Sequence, residues 1–172
     1  MRARNLPLLG ILACGGAPSP SSLELRSALP GGGAIPPDYT CDGANRSIPW
    51  SWSDPPHGTH TFAIIVDDPD APGTTWTHWA AWNIPGDIRS LSEGIPRDSS
   101  GMVQGRNDFG EVGWGGPCPP VSDGEHRYFA RVYALDASLS LQTGASRGDL
   151  DAAMMGHVVG QGEWMARYRR AR

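Results

Sequence analysis

The chain has 172 residues, 39% of them hydrophobic, which suits one domain with a core of its own. All 14 basic residues are Arg, which excludes lysine Schiff bases, a Walker lysine and Ser-Lys dyads. A formal charge of −4 argues against a general nucleic-acid binder, and no apolar run is long enough for a transmembrane helix.

In chain order, Arg2 and Arg4 precede the apolar run Leu6–Ala13, and Cys14 follows. A basic start before a short apolar stretch is a secretory signal pattern. Ile11-Leu12-Ala13-Cys14 resembles a bacterial lipobox, although Leu12 stands where a small residue is usual. That resemblance implies a signal peptide over residues 1–13, lipidation at Cys14, a flexible tether over residues 14–22 and a folded domain over residues 23–172. It implies a lipoprotein of the bacterial cell envelope, held to the membrane through its N-terminal lipid. With Cys14 assigned to lipid, Cys41 and Cys118 remain as an even pair in an exported chain. They read as a disulfide, with two unpaired buried thiols as the alternative.

Five runs rich in β-branched and aromatic residues follow: Ser47–Trp52, Thr61–Asp67, His78–Ile84, Arg127–Leu135 and His157–Tyr168. Gly, Pro, Asp or Asn clusters bound each, which predicts strands separated by turns. Phe62-Ala63-Ile64-Ile65-Val66 is apolar on both faces and is expected at the centre of a sheet. Ser146-Arg147-Gly148-Asp149 resembles a capping box before Leu150–Met155, the one convincing helix start. Several short strands with one helix predict a mainly β fold, a β-sandwich rather than a βαβ unit. The C-terminal cluster Arg167, Arg169, Arg170 and Arg172 reads as a solvated tail.

Three segments concentrate reactive side chains. Asp67-Asp68-Pro69-Asp70-Ala71-Pro72 places three carboxylates at the end of an apolar strand, where they are expected to raise one another's pKa. Trp76-Thr77-His78-Trp79 opens the next strand. Gly115-Gly116-Pro117-Cys118-Pro119-Pro120 is a stiff loop that lets backbone approach a ligand. It is followed by His126 and Tyr128, two apart and so on one face of a strand.

Taken together, Asp68-Pro69-Asp70-Ala71-Pro72, His78 and Gly116-Pro117-Cys118-Pro119-Pro120 with His126-Arg127-Tyr128 resemble the phosphatidylethanolamine-binding (Raf kinase inhibitor-like) protein family, bacterial branch. Tyr39-Thr40-Cys41-Asp42-Gly43, Trp50-Ser51-Trp52, Asn83-Ile84-Pro85 and Gly156-His157-Val158 extend the likeness from about Ser22 to Tyr168. Trp114, where a Tyr is common, and Met155, where an acidic residue is common, depart from it and are expected to reshape the rim of a site. The resemblance implies a two-sheet antiparallel β-sandwich with one or two short helices. It also implies a small cavity for phosphate, phosphorylethanolamine or a carboxylate. Carried over, that cavity would use Asp68, Asp70, His78, His126 and Tyr128 with the backbone of Gly116, Pro117 and Cys118. Imidazolium, hydroxyl and N–H donors suit the anion, while Asp suits an ammonium group.

The function expected is that of a non-catalytic binding protein for a small phosphorylated or carboxylated ligand. No metal, cofactor or catalytic residue is expected. An inhibitor or modulator of a protease or signalling partner is the first alternative, and a hydrolase of phosphate or carboxylate esters the second.

Overall fold

The computed structural model describes residues 19–171, so the leader and Cys14 lie outside the described residues. The strands are β1 (Ser21–Ser22), β2 (Leu25–Ser27), β3 (Trp50–Trp52), β4 (Thr61–Asp68), β5 (Trp76–Pro85), β6 (Ser90–Leu91), β7 (Val103–Gln104), β8 (His126–Leu135) and β9 (Val158–Tyr168). They form a six-stranded sheet in the order β1-β9-β8-β4-β5-β7 and a three-stranded sheet β2-β3-β6. Every strand pairing is antiparallel except that of β1, which runs parallel to β9. The mainly β, two-sheet expectation therefore holds. Ser21 and Ser22, the end of the expected tether, pair with Gly160 and Gln161 as strand.

Strand β4 is buried along its whole length, and its alternation splits it between two cores. Phe62, Ile64 and Val66 face the sandwich, where they join Trp50, Trp52 and Trp79. Ala63 and Ile65 face the other way, against Trp82, Leu139, Leu150 and Met154. Two apolar coverings explain why the sequence shows a continuous run here instead of strict alternation.

The second core is closed by α1 (Arg147–Met154). Ser146 Oγ accepts from Asp149 N–H at 3.2 Å, and the Asp149 carboxylate accepts from Ser146 N–H at 2.9 Å. This completes the capping box expected from the sequence. Leu150 and Met154, four apart, present one buried stripe to the sheet. Such a side chain contributes about 1.5–3 kcal/mol on full burial.

Two loops far apart in the chain are tied together near one end of the sandwich. Cys41 and Cys118 form a disulfide, with Cα atoms 5.4 Å apart and a separation of 77 positions in sequence. Beside it, Asp42 accepts from Tyr168 Oη at 2.7 Å and from Arg170 Nη2 at 2.8 Å. Part of the C-terminal arginine cluster is thus a clasp on the Cys41 loop and not a solvated tail. The sequence gives no warning of this, because Asp42 and Arg170 meet only through the closure of β9 against the sheet.

Candidate functional site

At the end of the sandwich face the apolar alternation turns polar. On β8, Tyr128, Ala130, Val132 and Ala134 point into the sandwich core, and His126 continues the same face. On neighbouring β4, the face of Phe62, Ile64 and Val66 continues to Asp68. Antiparallel pairing places the two polar ends together: His126 Nδ1 lies 2.8 Å from Asp68 Oδ2, with both side chains almost fully buried. A carboxylate only accepts, so the proton of this bond sits on Nδ1. The second ring nitrogen, Nε2, is 3.6 Å from Asp123 Oδ2.

Asp68 and His126 form the floor of a chamber of about 290 Å3. His78 lies beside them, and Ala71, Pro72, Trp76, Phe109, Cys118, Pro119 and Pro120 supply the walls. The chamber is therefore apolar around a small polar base, the usual build of a small-molecule site. His78 Nδ1 is 2.6 Å from the carbonyl oxygen of Gly115, which can only accept, so Nδ1 carries the hydrogen. Burial pushes the His78 pKa down, against the raising effect of the Gly115 carbonyl and the Asp68 charge. Burial thus favours the neutral ring, in which Nε2 is the acceptor. The buried position of His78 disfavours its cation and with it a charged-donor role there.

Tyr128 sits behind the chamber with its ring 5.2 Å from that of His78, edge to face. It is buried, and its hydroxyl makes no hydrogen bond of normal geometry to the described residues. Burial first and the Asp68 charge second push its pKa far up, so it remains a hydroxyl and a potential donor.

Asp70 behaves differently from Asp68. It accepts from the backbone N–H, Nε and Nη2 of Arg127 at 2.9, 2.8 and 2.7 Å. Hydrogen bonds from Arg127 lower its pKa to about 2. Asp67 points to the opposite face of β4, where Arg131 and Arg147 hold it at 3.0 and 2.9 Å. Each of the three neighbouring carboxylates has its own cationic or imidazole partner. For Asp70 the shift is the reverse of the one expected. Asp70 does not line the chamber but pins the start of β8 from outside it.

The loop Gly116–Cys118 lies where expected, with one difference. Gly116 N–H donates to Asn45 Oδ1 at 2.8 Å and is not free for a ligand, and Pro117 has no N–H. Cys118 alone of the three lines the chamber. Trp114 and Met155 do not line it: Trp114 packs on Trp79 with ring centroids 6.0 Å apart, and Met155 is exposed after α1. Sequence reasoning missed Phe109, whose ring lies edge-on to Trp76 and His78, each 5.4 Å away. The word Asn107-Asp108-Phe109-Gly110 signals only a turn. Asn107 is buried and its Oδ1 receives the N–H groups of Phe109 and Glu111, which fixes the aromatic ring over the chamber.

Comparison with known proteins agrees with the fold. The model of the family described as phosphatidylethanolamine-binding protein matches residues 26–169. A UPF0098 protein of Methanothermobacter thermautotrophicus is 51% identical over 141 residues, 80% of this chain and 92% of its own. The crystal structure of a phosphatidylethanolamine-binding protein homologue from Chlamydia trachomatis superimposes with a TM-score of 0.80 at 37% identity, covering 87% of this chain and 99% of that one. Escherichia coli YbcL, described as a new member of the mammalian family, gives 0.80 at 32% identity, covering 86% and 98%. With the family model matched over residues 26–169 and the sandwich shared with these structures, this chain belongs to the phosphatidylethanolamine-binding protein family.

Proposed function

We propose that this protein binds a small phosphorylated or carboxylated ligand in the Asp68–His126 chamber and releases it unchanged. The observation that carries the reading is the buried Asp68–His126 pair. Its hydrogen bond occupies Nδ1, so an entering anion meets Nε2 as the atom that takes up a proton and then donates. Asp68 stands behind the ring to stabilise the imidazolium so formed. The acceptors Asp68 and His78 Nε2 suit an ammonium group or an acidic hydroxyl on the same ligand.

Two features favour binding over catalysis. The one sulfur in the wall, that of Cys118, is tied to Cys41. The Tyr128 hydroxyl, with its raised pKa, is a poor nucleophile at neutral pH. We also read Cys14 as the site of a lipid anchor in a bacterial envelope. The disulfide supports an oxidising compartment. Intact mass of the protein from its membrane fraction, with an acyl increment at Cys14, is the check.

A bound anion favours the protonated form of an imidazole that donates to it, so affinity rises as pH falls. Dimethyl phosphate is a suitable probe because its single charge does not change. Calorimetric titration is expected to give about tenfold tighter binding at pH 5.5 than at pH 8, and no pH dependence for His126→Gln. Equal affinity at both values in the wild type removes His126 as the donor, and no binding at either removes the function. A second reading, a protein partner, rests on the exposed side chains of Phe109 and Val121, which sit on and next to the chamber wall. Capture of a partner that dimethyl phosphate displaces would favour it.

A further inference from the structure

A second hollow of about 240 Å3 adjoins the chamber. Phe109 and Cys118 line both, so they form the partition between the two. The partition is firmly placed. The Phe109 ring lies so close to Gly115 that a Cβ there would come within 2.6 Å of the ring, and Cys118 is anchored by its disulfide. Phe109 is nevertheless 44% exposed, so part of this partition faces solvent.

The chemistry of the second hollow differs from that of the first. Glu111 and Asn45 are on its wall, with backbone from Gly115 and Gly116. Glu111 pairs with Arg97 through Oε2, which leaves Oε1 as an acceptor. Asn45 uses its Oδ1 for Gly116 N–H, which leaves the Nδ2 hydrogens as donors. Its backbone has a φ of 52°, a left-handed conformation that Asn tolerates better than most side chains, and it turns the side chain towards the Gly116 loop. A charged acceptor and an amide donor across a small hollow match hydroxyl groups, each of which donates and accepts at once.

We propose that this second hollow is a subsite for a hydroxylated substituent, glycerol-like or sugar-like, on a ligand whose anionic group occupies the Asp68–His126 chamber. The assignment rests on the function proposed above and deepens it by naming what the ligand carries beyond its anion. Three phosphate monoesters separate the two ideas: methyl phosphate, n-propyl phosphate and glycerol 3-phosphate. The last two are of similar length and differ in their hydroxyls. Titrated against the full chain at pH 5.5, glycerol 3-phosphate is expected to bind about tenfold tighter than n-propyl phosphate, the worth of one hydrogen bond to a charged group. Glu111→Ala, at a half-exposed position, is expected to cancel that preference, with thermal unfolding confirming that the variant is folded. Equal binding of the last two esters by the wild type overturns the subsite and leaves the chamber's function standing. So does a Glu111→Ala variant that weakens all three esters alike. Failure of all three to bind the wild type overturns both readings.

Discussion

Asp70 receives three hydrogen bonds from one residue, and this gives its side chain a measurable signature in stability. The Arg127 clamp holds the carboxyl at about 2, below its ordinary value near 3.9. A depressed carboxyl stabilises the fold in full above the unfolded value, and the contribution is lost as pH falls towards 2. Both side chains reach solvent, so screening limits the pair to about 1 kcal/mol. Asp70→Asn is therefore expected to lower unfolding free energy by about that amount at pH 7, with the gap to the wild type closing by about pH 2. Urea titrations at pH 7, 4 and 2.5 measure it. An unchanged gap at the lowest pH would show that Asp70 acts through packing instead of charge. The same residue shows what a lone sequence conceals. Three carboxylates in four positions read as mutual repulsion, yet the pleat sends Asp67 and Asp68 to opposite faces, and Asp70 finds Arg127 across the turn.

Among elements, the wall of the chamber depends on a cross-link more than on secondary structure, since Gly116 to Pro120 belong to no strand or helix. Cys41–Cys118 and the hydrogen bond from Cys41 N–H to Pro117 O, 3.1 Å, carry that loop on the loop after Tyr39. Replacing both cysteines by Ser is expected to cost about 2–4 kcal/mol in denaturant unfolding, because a long loop is released in the unfolded chain. A loss below about 1 kcal/mol would mean that the two loops hold together without the bond. The long strands and the helix were legible because periodicity and turn residues mark them: β4 through its double-sided apolar run, α1 through Ser146 and Asp149. The two- and three-residue strands were not, apart from Trp50–Trp52, because so short a segment has no periodicity and owes its conformation to its partners. Of the site, Asp68, His78, Cys118 and His126 were legible from motif words and meet in one chamber. Phe109 and Asn45 were not, since an aromatic in a turn and an Asn in a loop gain meaning only once the Gly115–Gly116 backbone lies against them.

At the scale of the whole molecule, β4 is a dividing wall with ligand chemistry on one side and ion-pair scaffolding on the other. The Asp67 face carries Arg131 from β8 and Arg147 from α1, so one buried carboxylate ties the helix to two central strands. Arg147 also pairs with Asp151 one turn on, and Arg131 with Glu163 of β9. Removing one partner of a buried pair leaves its counterpart uncompensated, a loss of about 3–5 kcal/mol where burial is complete. Here both arginines keep partial access to water, with 31% and 26% of their side-chain surface exposed, and each keeps a second carboxylate. The cost of Asp67→Ala should therefore sit lower, at about 2–3 kcal/mol. Because the substitution lies on the helix side, dimethyl phosphate affinity at a temperature where the variant is folded is expected to stay within about twofold of the wild type. Denaturant unfolding and calorimetry on the same preparation test both halves. Should affinity fall in step with stability, the two faces of the sheet are energetically coupled and the separation argued from the pleat is wrong. A loss of stability with affinity intact means that one strand, by alternation alone, keeps the scaffold's charges out of the ligand's reach.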